Sequence, residues 1–547
     1  MDLRKAPITD DTCVLNEPLV DGDILSEWEI SEYVISSKNH DPLEEGLNLN
    51  KIKINNAENK YCCLQKWHRW AYPPNLPVQI QLFRLDNLAI PFCYLMVGLM
   101  QGISGPLLNT YPMSLGASEA QQTTIFALCS LPGTLKIAFG FLSDNKALFG
   151  YKRKSYMALG WFVSSMSMVM LLIIPKLEGA KQPSVTLFSL CVWFFASGFW
   201  FADVIGDSIL VEKVRLEPEH SRGQLQSTCY AWRFFGTMIG TPMSTAIYKY
   251  QGAWLVILIL AILPISMAPF VYHLKESKNV HIQSTRDQCN EIWQTVCSRA
   301  VWQPIGFVYL YNLLQVMNPA WRQYLKTVQN FTNEDLNALL IVSDVLIFVG
   351  VLVYKKFFLL WSWRIVYIIT TLVAGFFSVL QLFLIEGSTF GLSPFFFALG
   401  DEACADFIAG LQFLPMAIIM AQLCPEGSEG ASYALFTTVA NAAAMSSASI
   451  STMLLGIWDV SEEAFVSGDT KGMRNLTLLT SSIAMTGILF VGLLPRDKKD
   501  LEALKMGSFT MSKLGGGLFL GVILFSIIFA ILDAVVNIMF SGWIKES

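Results

Sequence analysis

Residues 184–212, "SVTLFSLCVWFFASGFWFADVIGDSILVE", decide the fold. Their first sixteen positions carry no charge, whereas the last thirteen carry Asp203, Asp207 and Glu212. A helix needs about 20 mostly apolar residues to cross a bilayer. An ionisable group inside hydrocarbon costs about 2.5–3.5 kcal/mol on insertion scales, so an acid kept there faces a cavity or a partner rather than lipid. Asp203 and Asp207 are four residues apart and share one helix face. Glu212 lies off that face.

The rest of the chain repeats the pattern. Of 547 residues, 53% are hydrophobic and 15% charged, against the roughly 25% charge of a soluble domain. Further apolar runs stand at 89–113, 117–143, 154–175, 223–248 and 252–273, then at 302–325, 336–358, 364–385, 391–423, 429–457 and 475–494. With 184–211 they make six plus six, separated by the polar stretch "KESKNVHIQSTRDQCNE" (275–291), and a thirteenth run occupies 515–540. The expected architecture is an all-α integral membrane protein of the major facilitator fold, two six-helix bundles (12 TM) plus an extra C-terminal apolar helix. Its parts are a cytosolic, largely disordered acidic tail (1–84), an N-terminal bundle (85–274), a central cytosolic loop (275–300), a C-terminal bundle (301–495), and a charged linker with the additional helix (496–547). The halves echo each other: "PEHSRG" (218–223) and "PEGSEG" (425–430) follow the fourth and tenth runs. Parallel six-helix repeats form a central cavity between two bundles in such transporters.

Several classes are excluded. No dense basic patch marks a nucleic-acid surface, and the start "MDLRKAPITDD" lacks the apolar core of a signal peptide. The eleven cysteines form no CxxC pair and fall mostly in apolar runs, as small core residues. No histidine spacing suits a metal, so no cofactor is expected. Without a nucleophile, metal or cofactor constellation the chain is not read as an enzyme.

Lysines and arginines concentrate on the cytoplasmic side of membrane proteins. With the N-terminus cytosolic, the inner loops collect Lys146, Lys152, Arg153, Lys154, Lys213, Arg215, Lys355 and Arg364, and the outer loops hold few. The sequons at Asn330 and Asn475 both fall on outer loops; Asn330 is the expected glycosylation site. The expectation is a multi-pass protein of the plasma membrane or an organelle membrane.

Charged residues inside the spans are the candidate site. Lys136 stands at a depth comparable to Asp207, and Arg233 is level with Asp203, near mid-membrane. Bases can clamp a carboxylate substrate and acids can carry a coupling proton. Lys136, Arg233, Asp203, Trp232 and Arg322 are the expected substrate contacts; Asp203, Asp207 and Asp344 are the expected proton carriers. The bland alternative is that Lys136 and Asp207 merely neutralise each other and hold helices together. "GFLSD" followed by "GYKRK" is a variant of an inner-loop motif, placing Gly140, Asp144, Lys152 and Arg153 in a conformational role, with Glu212 as part of the same latch.

Taken in order, "LKIAFGFLSD", "FGYKRKSYMALGW", "ADVIGDSILVE", "GDEACADFIAGLQFLPM", "LCPEGSEGASYALFTTVANA" and Arg233 with Gly236 resemble the folate-biopterin transporter family of the major facilitator superfamily, over residues 87–495. "LPGTLKI" departs from the Trp-before, Pro-after setting of that family's second-span lysine. The resemblance implies a secondary transporter of folates, pterins or related metabolites, moved by proton symport through alternating access. By position it points to Lys136, Asp144, Asp203, Asp207, Glu212 and Arg233. The alternatives are a carrier of another organic metabolite, nucleoside-like or amino-acid-derived, and a non-transporting receptor or scaffold.

Overall fold

The computed structural model describes residues 71–539 except 75, 118, 181, 279–283, 390 and 507–510. Most of the acidic tail and the last eight residues therefore lie outside the described residues. The described residues contain no strand, only two isolated bridges.

The first half comprises α1 (Ala89–Asn109), α2 (Glu119–Thr134), α3 (Lys136–Asn145), α4 (Lys154–Leu177), α5 (Val185–Val214), α6 (Gln224–Gln251) and α7 (Ala253–Ile262). After α8 (Thr285–Cys297) come α9 (Arg299–Leu314), α10 (Trp321–Thr327), α11 (Asn333–Val353), α12 (Trp363–Ile385), α13 (Pro394–Leu423), α14 (Glu429–Leu454) and α15 (Lys471–Met485). Two more follow, α16 (Lys498–Met506) and α17 (Lys513–Met539). Nine helical stretches among the described residues are long and apolar enough to cross a membrane. The other three expected runs are helical too, but α6 is rich in Ser, Thr and Gln and α14 in Ser and Thr, and the seventh run breaks between α9 and α10. Polarity in α6 and α14 has a packing reason: Gln226 and Tyr230 of α6 hydrogen-bond Tyr433 of α14, at 2.8 and 3.0 Å.

Local chemistry sets the elements that carry charge. Ser184 caps α5, its hydroxyl accepting the N–H of Leu187. The 30 residues of α5 extend about 45 Å, longer than the ~30 Å hydrocarbon core. The second span is split. Pro132 lacks an N–H and Gly133 weakens the ladder, and the helix breaks at Leu135, so Lys136 opens α3. α1 and α6 pack against each other through two Gly-x-x-x-Gly pairs, Gly98–Gly102 and Gly236–Gly240. A Cβ on Gly98 would stand 1.9 Å from the Arg233 carbonyl oxygen, so only glycine allows this approach.

Within the halves α4 packs on α5, α2 on α5, and α11 and α12 on α13. Two main seams join the halves among the described residues, α3 against α14 and α6 against α11, and α5 also meets α14. The extra helix α17 lies along α2, α14 and α8, beside the first seam. Residues 71–84, read as the end of the tail, are packed rather than loose: Leu76, Ile80 and Leu82 are buried, and the Asn87 amide donates to the carbonyls of Gln79 and Gln81 at 3.0 Å. The central loop holds α8, capped by Ser284.

Candidate functional site

The face of α5 that carries Trp200, Asp203 and Asp207 points into the first half. Positions three and seven residues on from Trp200 fall on one stripe of a helix. Asp203 is buried and takes two cations: Lys136 Nζ at 2.6 Å and Arg233 Nη1 at 3.1 Å. The same two groups sit over the Trp200 indole, Lys136 Nζ at 4.4 Å and the Arg233 guanidinium carbon at 5.6 Å from the ring centre, within cation–π range. Arg233 Nε also donates to Gln101 Oε1 at 3.3 Å.

Asp207 is buried one turn away and accepts a hydrogen bond from the Tyr94 hydroxyl. Lys136 therefore pairs with Asp203 rather than with Asp207, the acid at matching depth. The reason is helix geometry. Side chains lean toward the N-terminus of their helix, and the four-carbon stem of lysine carries its ammonium about one turn, ~5.4 Å, in that direction.

From Asp207 a polar and aromatic path leads to the second half. The Tyr94 ring meets Tyr230 edge-on at 5.1 Å, and Tyr230 bonds the hydroxyl of Tyr433. Tyr230 and Phe234 also contact the Phe413 ring of α13, at 4.7 and 5.3 Å.

A second cluster closes the end of the molecule where α3 meets α14. Asp144 is buried; its Oδ1 faces Arg153 Nη2 at 2.7 Å and Lys152 Nζ at 3.6 Å. Its Oδ2 accepts the N–H of Ala431 at 2.7 Å and the Gln288 amide at 3.1 Å. Ala431 is in the first turn of α14, where N–H groups lack partners within the helix. An acid of the first half thus caps a helix of the second. Arg153 also reaches Glu212 at 3.0 Å, and Glu429 pairs with Arg215 at 2.7 Å. Gly140 touches Gly430 so closely that a Cβ would stand 2.5 Å from the Gly430 carbonyl oxygen.

The remaining sequence candidates stand apart. Trp232, although adjacent to Arg233, is turned about 100° round the helix and packs with Phe83, Phe92 and Phe235, with ring centres 5.9–6.2 Å apart. Arg322 is exposed on α10, with Glu402 as its acidic neighbour. Asp344 faces the Thr241 hydroxyl of α6, with Asp406 of α13 nearby. Asn330 is exposed with φ 57°, and Thr332 of its sequon forms a capping box with Asp335. Among the described residues no group of His, Cys, Asp and Glu suits a metal ion.

Sequence reasoning missed Tyr94, Gln101 and Trp200. A signal existed. Tyr94 and Gln101 are seven apart, on one face of an otherwise apolar helix, and Trp200 is on the Asp203 stripe.

Buried, paired charges between apolar helices define a multi-pass integral membrane protein with a polar centre, and comparison with known structures extends this to the fold. The proton:xylose symporter XylE, bound to 6-bromo-6-deoxy-D-glucose, superposes with a TM-score of 0.55 at 13% identity, covering 77% of this chain and 98% of that one. The protein has the major facilitator fold. It belongs to the BT1 family, whose pattern matches residues 101–508. Among relatives, the folate-biopterin transporter of Synechocystis sp. is 25% identical over 399 residues, 71% of this chain and 78% of its own. Folate transporter 1 of Plasmodium falciparum is 24% identical, over 70% and 74% of the two chains. The relatives are transporters, and this chain falls with them rather than with enzymes.

Proposed function

We propose that the protein is a secondary transporter of folate- or pterin-type compounds, coupled to protons and working by alternating access. The observation that carries this reading is Asp203 held between Lys136 and Arg233. In a medium of low dielectric each buried cation requires a counter-charge. Folates carry glutamate carboxylates, and one of these could replace Asp203 against Lys136 or Arg233 if Asp203 took up a proton. Substrate carboxylate and proton would then enter together, leaving the net charge of the Lys136–Asp203–Arg233 group as it was. Asp207, bonded to Tyr94 beside this centre, is the second proton carrier in this scheme. Trp200, under both cations, offers the flat surface that Trp232 does not.

The Asp144 cluster is read as the latch that holds one face shut, with Gly140, Lys152, Arg153 and Glu212 as its parts. We assign that face to the cytosol, together with the N-terminus, because its loops are rich in lysine and arginine. Asn330 then lies outside. The names of the relatives support the substrate class, and the paired charges support the coupling.

Uptake of labelled folic acid by cells expressing the chain, at acidic and neutral pH, tests the whole reading. Faster uptake at acidic pH, abolished in Asp203→Asn and Arg233→Ala at normal membrane expression, is expected. Full activity of either variant sinks the assigned roles. A competition panel of pterins, nucleosides and amino acids identifies the cargo.

A further inference from the structure

Lys355 is a half-buried cation that the transport scheme does not use. It lies in the π-helical turn Tyr354–Phe358 that ends α11, a distortion found frequently at functional sites. Its Nζ donates to Thr228 Oγ1 at 2.7 Å, and that hydroxyl in turn donates to the Gln224 carbonyl oxygen at 2.6 Å. Among the described residues no other hydrogen bond engages the ammonium, so two of its three N–H groups remain. Among the described residues no carboxylate lies within the 4.0 Å of an ion pair. The acid that acts on Lys355, Glu217, is already engaged: it accepts the N–H of Gly223 at 2.7 Å and of Leu225 at 2.6 Å.

Lys355 also lines a cavity of about 120 Å³. Its polar lining comes from Lys355, Thr228 and Gln224, and Leu76, Leu82 and Phe83 form apolar walls. A single water needs only ~10–15 Å³ of such volume, so there is room for one oxyanion group. There is no room for a cargo made of a ring system and a glutamate tail. The walls come from three places: the segment before α1, the start of α6, and the end of α11. An occupant would touch both halves at the end of the α6–α11 seam.

We propose that this cavity is an anion site, in which the remaining N–H groups of Lys355, positioned by Thr228, hold a phosphate-type oxyanion that braces the two halves. A partly buried cation with no counter-ion among the described residues is costly, and phosphate satisfies several N–H donors at once. The oxyanion has two sources. One is the headgroup of an anionic lipid, which the apolar walls and the place at the end of a span suit; the other is free phosphate. This site is separate from the Asp203 centre and does not rest on the transport reading.

The test is thermal unfolding of the purified full-length protein in two settings. In detergent, inorganic phosphate is titrated against chloride at matched ionic strength. In lipid nanodiscs, phosphatidylcholine alone is compared with phosphatidylcholine containing phosphatidic acid. A rise in midpoint with phosphate in detergent supports the site and assigns it to the free ion. A rise confined to phosphatidic acid discs supports it and assigns it to lipid. In either case Lys355→Gln is expected to weaken the response at least tenfold, while Lys356→Gln, altering the exposed neighbour, responds as the wild type does. If Lys355→Gln fails to fold, Thr228→Val carries the test, with an expected rise of several-fold in the half-effective concentration. No shift in either setting overturns the proposal. So does an undiminished response in Lys355→Gln, or in Thr228→Val where that variant stands in.

Discussion

Asp203 is the hub of the buried charges, and its replacement by asparagine separates a hub from an ordinary pair. The side chain is 1% exposed and meets Lys136 at 2.6 Å and Arg233 at 3.1 Å. Asp203→Asn keeps the shape and removes the charge, leaving two buried cations to share a neutral amide. Breaking a buried ion pair by removing one partner costs about 3–5 kcal/mol, because the stranded charge remains desolvated. Lys136→Gln is the contrasting change. Asp203 then keeps Arg233, and the loss is nearer a single charge-assisted hydrogen bond, about 1.5–3 kcal/mol. Equilibrium unfolding in mixed micelles, run on both variants and the double variant, measures the order. Asp203→Asn should be the more destabilised, and adding Lys136→Gln to it should restore part of the loss by removing one unpaired cation. If Lys136→Gln costs as much as Asp203→Asn, or the double variant shows simple additivity, Asp203 is not the shared counter-ion and the reasoning fails.

Four further outcomes follow from the geometry. Tyr94→Phe removes the donor to Asp207, so it should cost about 1–3 kcal/mol and alter the pH profile of uptake; an unchanged profile removes Asp207 from the coupling scheme. Gly140→Ala places a methyl group 2.5 Å from the Gly430 carbonyl oxygen, and overpacking of this kind costs about 1–3 kcal/mol. Cysteine labelling on the Asp144 face should rise in that variant, and unaltered labelling argues against the latch. Burial lifts the Glu217 carboxyl from its ordinary 4.5 to about 7, outweighing the Leu225 and Gly223 N–H groups and Lys498. Its folded pKa exceeds its unfolded one, so this stability is full below 4.5 and lost as pH rises through 7. Glu217→Gln should flatten that part of the melting-midpoint profile. Finally, Asn330→Gln should abolish a glycosidase-sensitive mass shift in a eukaryotic host; a shift that persists assigns the sugar elsewhere and weakens the proposed orientation.

Much of this molecule is legible in its sequence. Apolar run length determined where helices form, since the bilayer demands about 20 residues whatever the fold. Fifteen per cent charge, gathered between those runs, determined the class of protein. The i, i+4 spacing put Asp203 and Asp207 on one face, and rise per residue gave Arg233 its depth level with Asp203. These features are local: each depends on one helix and its solvent. Which charge meets which depends on packing between helices, on the lean of Lys136 and on the break at Leu135, and only the tertiary structure decided it. The same is true of Trp232, one residue from Arg233 in the chain but on another face, and of Trp200, three residues from Asp203 and directly beneath its cations. The cap of Asp144 on the N–H of Ala431 joins residues 287 positions apart. No periodicity within one helix contains such a contact, because its energy exists only when the two halves come together.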